Sequence, residues 1–123
     1  MLLSVFSINA RGIRDQLKRK ALFLYCKGKN ADFCLIQETH ACSSDAKFWK
    51  SQWGKEIRLS FGSKRTAGVA ILQDRFTGQI LEFEKDDCGK WILLVIVNTT
   101  SFLFWLTVMP PTTKPTIMYF ILY

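Results

Sequence analysis

The chain has 123 residues, enough for one domain at most, and 49% of them are hydrophobic and 14% aromatic, which excludes a disordered tail. The net charge of +7 is uneven: residues 1–65 contain 13 Lys/Arg and 5 Asp/Glu, whereas residues 66–123 contain 4 and 5. A basic first half suits a polyanion such as nucleic acid, but a solvated surface explains the charge alone equally well.

In chain order, the first predicted element is a strand at Leu2–Asn9, which ends at the turn residues Ala10-Arg11-Gly12. A helix follows at Arg14–Lys27 and stops at Gly28. Its periodicity predicts a buried apolar stripe, whose members are Leu17, Ala21, Leu24 and Tyr25. The basic residues off that stripe face water or a partner; they are Arg14, Lys18, Arg19 and Lys20.

The next run, Asp32–Gln37, is almost continuously apolar, which is typical of a strand buried on both faces. Together with the preceding strand and helix it predicts a strand-crossover-strand unit. Ser44–Trp53 is predicted as a short helix with Ala46, Trp49 and Trp53 on one side. The candidate capping residues are Ser43 and Ser44.

The rest of the chain predicts short strands separated by turns, at Ile57–Phe61, Gly68–Gln73, Gln79–Glu84, Trp91–Val97 and Phe102–Met109. We expect this meander to extend the same sheet and to leave one apolar sheet face bare, available for self-association. The candidate residues for that face or its opposite are Trp91, Leu93, Val95, Phe102, Phe104 and Leu106.

The cysteines form no C-x-x-C pair and His40 is the single histidine, so we predict no zinc site. The start of the chain lacks the basic segment of a secretory signal, so we expect reduced thiols in the nucleus or cytoplasm rather than a secreted protein. Asn98–Ser101 interrupts the longest apolar stretch, which predicts two strands and no membrane partner. No small-molecule cofactor is predicted.

Two predicted strands end in oxygen-bearing side chains. Asn9 ends the first strand and Glu38 follows the second. Polar groups at the carboxyl ends of strands gather at the ligand crevice of α/β folds, and carboxylate and amide oxygens are ligands for Mg²⁺. Any strand end can carry Asn or Glu, so these two residues by themselves favour an ordinary strand end over a metal site.

Three segments in order, S-I-N-A-R-G-I, L-I-Q-E-T-H and K-R-T-A-G-V-A-I-L, resemble the endonuclease domain of LINE-type retrotransposons. That domain belongs to the endonuclease/exonuclease/phosphatase superfamily, with exonuclease III and the AP endonucleases. The resemblance covers residues 1–109 and not the divergent tail, residues 110–123. It implies an α/β fold that is the N-terminal, truncated half of the four-layer α/β sandwich of the DNase I-like fold.

The resemblance also implies site residues and a cofactor. Asn9 matches the metal-site amide and Glu38 the principal Mg²⁺ carboxylate of the family, whose reaction is phosphodiester hydrolysis in DNA. Arg11 is implied as a phosphate contact, and Lys64 and Arg65 lie where the family approaches the DNA backbone.

The departures from the family concern catalysis. Met109 stands where the family has its active-site tyrosine, and the sequence contains neither G-D-F-N nor S-D-H. Asp86 and Asp87 do not replace these motifs, because we expect their turn at the opposite end of the sheet from Glu38. His40 is expected to be structural.

Three hypotheses follow: a truncated, inactive Mg²⁺-dependent DNA nuclease domain of retrotransposon origin, a weak and non-specific DNA-binding module, or a non-functional remnant. The basic residues expected to contact DNA are Arg11, Arg14, Lys18, Arg19, Lys64 and Arg65.

Overall fold

A computed structural model describes residues 3–97 and the backbone of residues 103–108. The predicted divergent tail and Phe102 lie outside the described residues, as do the side chains of Phe104 and Leu106. Within the described part, two helices cover one face of a mixed sheet and a second, antiparallel sheet covers its other face. The chain is therefore an α/β protein, as the sequence predicts.

The strand-crossover-strand unit is confirmed. Strand β1 (Val5–Asn9) is followed by helix α1 (Gln16–Gly28) and strand β2 (Phe33–Gln37). The two strands are parallel, with Val5 opposite Phe33 and Asn9 opposite Gln37. All five residues of β2 are buried, as its continuous apolar run predicts.

Two more strands complete the first sheet, and each pairs antiparallel with its neighbour. A 3-10 turn (Ser43–Asp45) and helix α2 (Ala46–Trp53) lead to β3 (Ile57–Ser60) and β4 (Val69–Gln73). The strand order is β1-β2-β4-β3, so β4 inserts between β2 and β3 and β3 forms an edge. No serine caps α2 through its side chain, because the 3-10 turn makes Asp45 the residue that precedes the helix.

The expectation that the whole meander extends one sheet is wrong. Strands β5 (Gln79–Lys85), β6 (Ile92–Val97) and β7 (Leu103–Val108) form a separate antiparallel sheet. The reason is that the first sheet is apolar on both faces and can be buried only between two layers. The helices cover one face, and Ile92, Leu94 and Ile96 of β6 pack against the other.

The prediction of a bare face is wrong for the first sheet, because the second sheet covers that face. The face of the first sheet that carries Phe33, Leu35 and Ile71 is fully buried against β6. Because side chains alternate along a strand, Leu93 and Val95 lie on the opposite face of the second sheet from Ile92 and Leu94, where Leu93 is half-buried and Val95 is buried. There Leu93 is opposite Glu84 in the register and Val95 is opposite Glu82, and both glutamates are exposed.

The predicted buried face of α1 is wrong as well. Leu17 and Leu24 are 77% and 60% exposed, whereas Phe23 and Arg19 are each 3% exposed. The guanidinium of Arg19 donates hydrogen bonds to the carbonyl oxygens of Ile13 (3.1 Å) and Arg14 (3.0 Å), which provide partners for its N–H groups inside the helix layer. Both faces of α1 repeat with the helical period. The buried face is the one that carries Arg19, whose N–H groups are hydrogen-bonded to backbone carbonyls.

Two tryptophans anchor the helix layer as predicted. Trp49 and Trp53 of α2 are buried, and the Trp53 ring lies edge-on to Phe23 of α1 with ring centres 5.5 Å apart. The Trp53 indole Nε1 donates to the carbonyl oxygen of Gln73 at 3.1 Å, which ties α2 to the end of β4. Neither helix of the described part is long and apolar enough to cross a membrane.

Candidate metal and nucleic-acid site

The parallel pairing of β1 and β2 brings the ends of both strands to one edge of the first sheet. Asn9 is the last residue of β1 and lies opposite Gln37, so Glu38 is the next residue along the neighbouring chain segment. Neighbouring strands are about 4.8 Å apart, which places Asn9 and Glu38 on adjacent segments at this edge. Asn9 is exposed and Glu38 is half-buried.

The segments that leave the two strands stay bonded to each other. Ala10 N–H donates to the carbonyl oxygen of Gln37 at 2.9 Å, Gly12 N–H to that of Glu38 at 2.6 Å and Ile13 N–H to that of Thr39 at 3.1 Å. The pairing therefore continues past the strand ends, and the two candidate ligands are carried on a hydrogen-bonded scaffold instead of on independent loops.

Asn9 has a second, local role. Its Oδ1 accepts a hydrogen bond from the backbone N–H of Arg11 at 3.1 Å, which shapes the turn after β1. Arg11 is exposed and adopts a φ of +53° in the turn that follows Asn9. A carbonyl-type oxygen has two lone pairs, so Asn9 Oδ1 retains acceptor capacity for a cation.

Unfavourable backbone conformations are concentrated at this edge. Of the five non-glycine residues with positive φ in the described part, Arg11, Glu38, His40 and Ala67 belong to segments that meet here. Left-handed conformations cost L-residues about 1–2 kcal/mol each. Such residues cluster at functional sites, where the surrounding structure holds them in place.

Two glycines allow the segments to approach closely. A Cβ at Gly12 would lie 2.6 Å from His40 Nδ1, and a Cβ at Gly68 would lie 2.4 Å from Thr39 Oγ1. The His40 imidazole thus lies directly against Gly12. His40 therefore packs between the two segments that follow β1 and β2.

The loop that carries Lys64 and Arg65 is anchored at the same edge. Thr39 N–H donates to the carbonyl oxygen of Gly68 at 2.9 Å, and His40 N–H donates to that of Ala67 at 3.0 Å. Residues 63–66 form a turn closed by hydrogen bonds between Ser63 and Thr66. Both cations of this turn are exposed, so the structure brings Arg11, Lys64 and Arg65 to the edge that carries Glu38.

The other residues predicted to contact DNA interact with groups of the protein itself. Arg19 is buried in the helix layer, where its guanidinium also lies 4.8 Å from the Trp49 ring centre, so the prediction that it faces a partner is wrong. Arg14 Nη1 forms an ion pair with Asp45 Oδ2 at 2.5 Å. Lys18 is exposed, with its Nζ 3.4 Å from the carbonyl oxygen of Arg11.

The turn between β5 and β6 lies at this edge, contrary to the expectation for Asp86. Gly68 N–H donates to the carbonyl oxygen of Gly89 at 2.9 Å, and Gly89 N–H donates to Ser60 Oγ at 3.1 Å. The expectation assumed one continuous sheet; folding β5 and β6 back as a second layer returns their turn to the end of β3.

Asp86 is nevertheless saturated by structural hydrogen bonds. Its Oδ1 accepts from Ser60 Oγ at 2.7 Å and from the backbone N–H groups of Lys90 and Trp91 at 3.0 and 3.1 Å. Desolvation opposes ionisation of this carboxyl, but the hydrogen bonds from Ser60 and the turn backbone outweigh it and hold its pKa below the ordinary value. Sequence reasoning did not identify Ser60, since nothing in the sequence pairs it with a turn 26 residues away.

The donor set at the edge fits part of a Mg²⁺ site. The described residues contain no group of three or more His, Cys, Asp or Glu side chains able to hold a metal. Asn9 and Glu38 provide one amide and one carboxylate oxygen donor on adjacent segments. Mg²⁺ is often held by one or two carboxylates together with phosphate oxygens and waters, so these two residues suit a site that a phosphate group completes.

The fold and this edge define an α/β protein with oxygen donors and exposed cations gathered at the carboxyl end of a parallel strand pair. A scan against models of known protein families finds none that matches the chain.

Proposed function

We propose that the chain is a DNA-binding module related to the Mg²⁺-dependent endonucleases of the exonuclease III and AP-endonuclease type. The proposal rests on one observation: Asn9, Glu38, Arg11 and the Lys64-Arg65 turn, which are distant in sequence, share one edge of the first sheet. In this proposal the DNA backbone lies along that edge. The retrotransposon relationship is part of the same proposal and is supported by the ordered sequence segments.

Each group at the edge has a chemical role in the proposal. Arg11, Lys64 and Arg65 are exposed cations that contact phosphates without reading the base sequence. Glu38 and Asn9 would hold a divalent cation, which would supply neutralisation of phosphate charge.

Binding of duplex DNA tests the phosphate contacts. Fluorescence anisotropy with a labelled duplex should show affinity that falls steeply between about 50 and 200 mM salt, as counterion release requires. The double variant Lys64→Ala/Arg65→Ala should bind several-fold more weakly and lose about two units of salt slope. Affinity that does not change with salt would mean that Arg11, Lys64 and Arg65 form only a solvated surface.

The matched control is Lys20→Ala/Lys29→Ala, which removes the same charge from two exposed lysines in and just after α1. It should retain at least half of the duplex affinity, because neither lysine belongs to the edge. Equal weakening by both double variants would show that net charge and not this edge binds DNA.

Binding of Mn²⁺ as a substitute for Mg²⁺ tests the metal ligands. Electron paramagnetic resonance should detect weak Mn²⁺ binding by the chain alone and tighter binding with duplex DNA, because a phosphate oxygen completes the site. Glu38→Gln should abolish the difference, whereas Asp87→Asn, a control carboxylate in an exposed turn, should keep it. An unchanged signal in Glu38→Gln contradicts the metal assignment.

A further inference from the structure

A second basic region lines a groove between α2, the edge strand β3 and strand β5. The groove has a volume of about 310 Å³, and its residues contribute a largely apolar floor and a cationic rim. Its floor residues are Ala46, Ile57, Leu59, Phe61 and Phe83. Its cations are Lys47, Lys50, Arg58 and Lys85.

The groove exists because two sheet edges meet beneath a helix. Strand β3 is the edge of the first sheet, β5 is the edge of the second, and α2 lies above β3. Lys85 of β5 bridges the two sheets, since its Nζ donates to the carbonyl oxygen of Leu59 at 3.2 Å. This hydrogen bond joins the edge strands of the two sheets directly.

The cations are held against aromatic rings at the groove. The guanidinium carbon of Arg58 lies 5.7 Å from the Phe83 ring centre, and Lys85 Nζ lies 4.7 Å from that of Phe61. Arg58 Nη1 also donates to Gln73 Oε1 at 3.1 Å, which orients the planar group. An oriented guanidinium beside an aromatic ring offers a flat stacking surface together with donors for an anion.

The charge of the groove is unbalanced. Four cations line it and no carboxylate does; the nearby Glu56 pairs with Lys50 at 3.4 Å, and both of those side chains are more than half exposed. Exposed pairs of this kind contribute little energy, so Lys50 can exchange Glu56 for another anion at low cost. A concave, apolar surface with one sign of charge concentrates ligands of the opposite sign.

We infer that this groove binds an aromatic ring joined to a phosphate, the chemistry of a single nucleotide unit. The ring lies on the apolar floor beside Phe83 and the Arg58 guanidinium, and the phosphate lies between Lys47 and Lys50 of α2. The volume suits one such unit. The ligand is either a free nucleotide or one residue of a single-stranded nucleic acid, and the groove residues are distinct from those proposed above to bind duplex DNA.

Calorimetric titration with thymidine 5′-monophosphate, thymidine and inorganic phosphate tests the two halves of the ligand. The nucleotide should bind at a ratio of one to one, at least about tenfold more tightly than either fragment, since charge-assisted hydrogen bonds and ring contact both contribute. A nucleoside that binds as tightly as the nucleotide would overturn the assignment. So would phosphate alone binding as tightly, which indicates a non-specific anion effect.

Variants locate the binding in the groove. Lys47→Ala/Lys50→Ala should weaken nucleotide binding at least about fivefold, whereas Lys18→Ala/Lys20→Ala, with the same loss of charge on α1, should leave it within twofold. Phe83→Ala should weaken it about fivefold, with its exposed β5 neighbour Leu81→Ala as the control. Equal effects in a variant and its control would place the binding elsewhere.

Competition identifies the source of the ligand and separates this inference from the proposed function. Displacement of the nucleotide by a short oligothymidylate indicates a nucleic-acid strand, and no displacement indicates a free nucleotide. Lys64→Ala/Arg65→Ala should weaken duplex binding and leave nucleotide binding unchanged. Loss of nucleotide binding in that variant would contradict a separate groove, whereas failure of duplex binding alone would leave the groove standing.

Discussion

The carboxyl of Asp86 shows what one residue contributes at the point where the two sheets meet. It accepts hydrogen bonds from Ser60 of the first sheet and from the turn that begins the second sheet's middle strand. Its position was misjudged from the sequence because the strands were assigned to a single sheet. The residue is a structural acceptor whose ionised form the fold prefers.

The pH dependence of stability follows from this preference. A pKa lowered in the folded state means that the contribution of Asp86 is fully present above the unfolded pKa of about 3.9 and is lost as pH falls through the lower folded value. Asp86→Asn should therefore destabilise the chain by about 1–3 kcal/mol near neutral pH, with a smaller loss at pH 3. Urea unfolding at several pH values measures it.

Asp87→Asn is the matched control, because Asp87 is the exposed neighbour in the same turn. It should change the free energy of unfolding by less than about 0.5 kcal/mol at every pH. A cost for Asp86→Asn that stays constant from pH 3 to pH 7 would show that the carboxylate charge is not what the fold uses.

Among the elements, α1 gives the clearest difference between periodicity and packing. Leu17, Leu24 and Tyr25 form a regular apolar stripe, yet they lie outside, and the buried face carries Arg19, Phe23 and Cys26. Both stripes repeat with the helical period, so the sequence alone does not choose between them. The contact between Phe23 and Trp53 and the carbonyl partners of Arg19 decide the orientation.

Truncation of neighbouring side chains on α1 tests this orientation. Phe23→Ala removes a buried ring and should cost about 3–5 kcal/mol, whereas Leu24→Ala, one residue further on, should cost less than about 1 kcal/mol because its side chain is already in water. Denaturant unfolding of the two variants gives the comparison. A larger loss for Leu24→Ala would mean that α1 packs through the apolar stripe.

At the scale of the whole molecule, the described layers hold the Asn9–Glu38 edge together but provide few catalytic groups. Phosphodiester hydrolysis needs an activated water, a metal and groups that stabilise the transition state. In the proposed function Glu38 and Asn9 supply only part of a metal site, and Asp86 is held by hydrogen bonds within its turn. The sequence contains no G-D-F-N or S-D-H segment to take the other roles.

We therefore expect no nicking of supercoiled plasmid or of abasic-site DNA by the purified chain with Mg²⁺, under conditions in which it binds duplex DNA. Gel electrophoresis of the plasmid measures this. Nicking that requires Mg²⁺, stops with a chelator and is abolished by Glu38→Ala would refute the expectation and mean that another group completes the site.

Local sequence patterns are sufficient to predict the secondary-structure elements of the described residues. Alternating or continuous apolar runs broken by turn residues predict the seven strands and two helices of that part to within a few residues, because strand and helix formation depends on local patterns. The parallel strand-crossover-strand unit also followed from the sequence. With it came the prediction that Asn9 and Glu38 leave neighbouring strands at the same edge.

How those elements are layered depends on contacts between residues that are far apart in the sequence. The first sheet is apolar on both faces, and whether β6 joins its edge or covers its face depends on contacts such as Ile92 and Leu94 against Phe33, which are remote in sequence. The same layering placed Asp86 beside Ser60 and opened the groove between β3 and β5. Burial of apolar area is non-directional, so a sequence pattern specifies that a face is covered but not which element covers it.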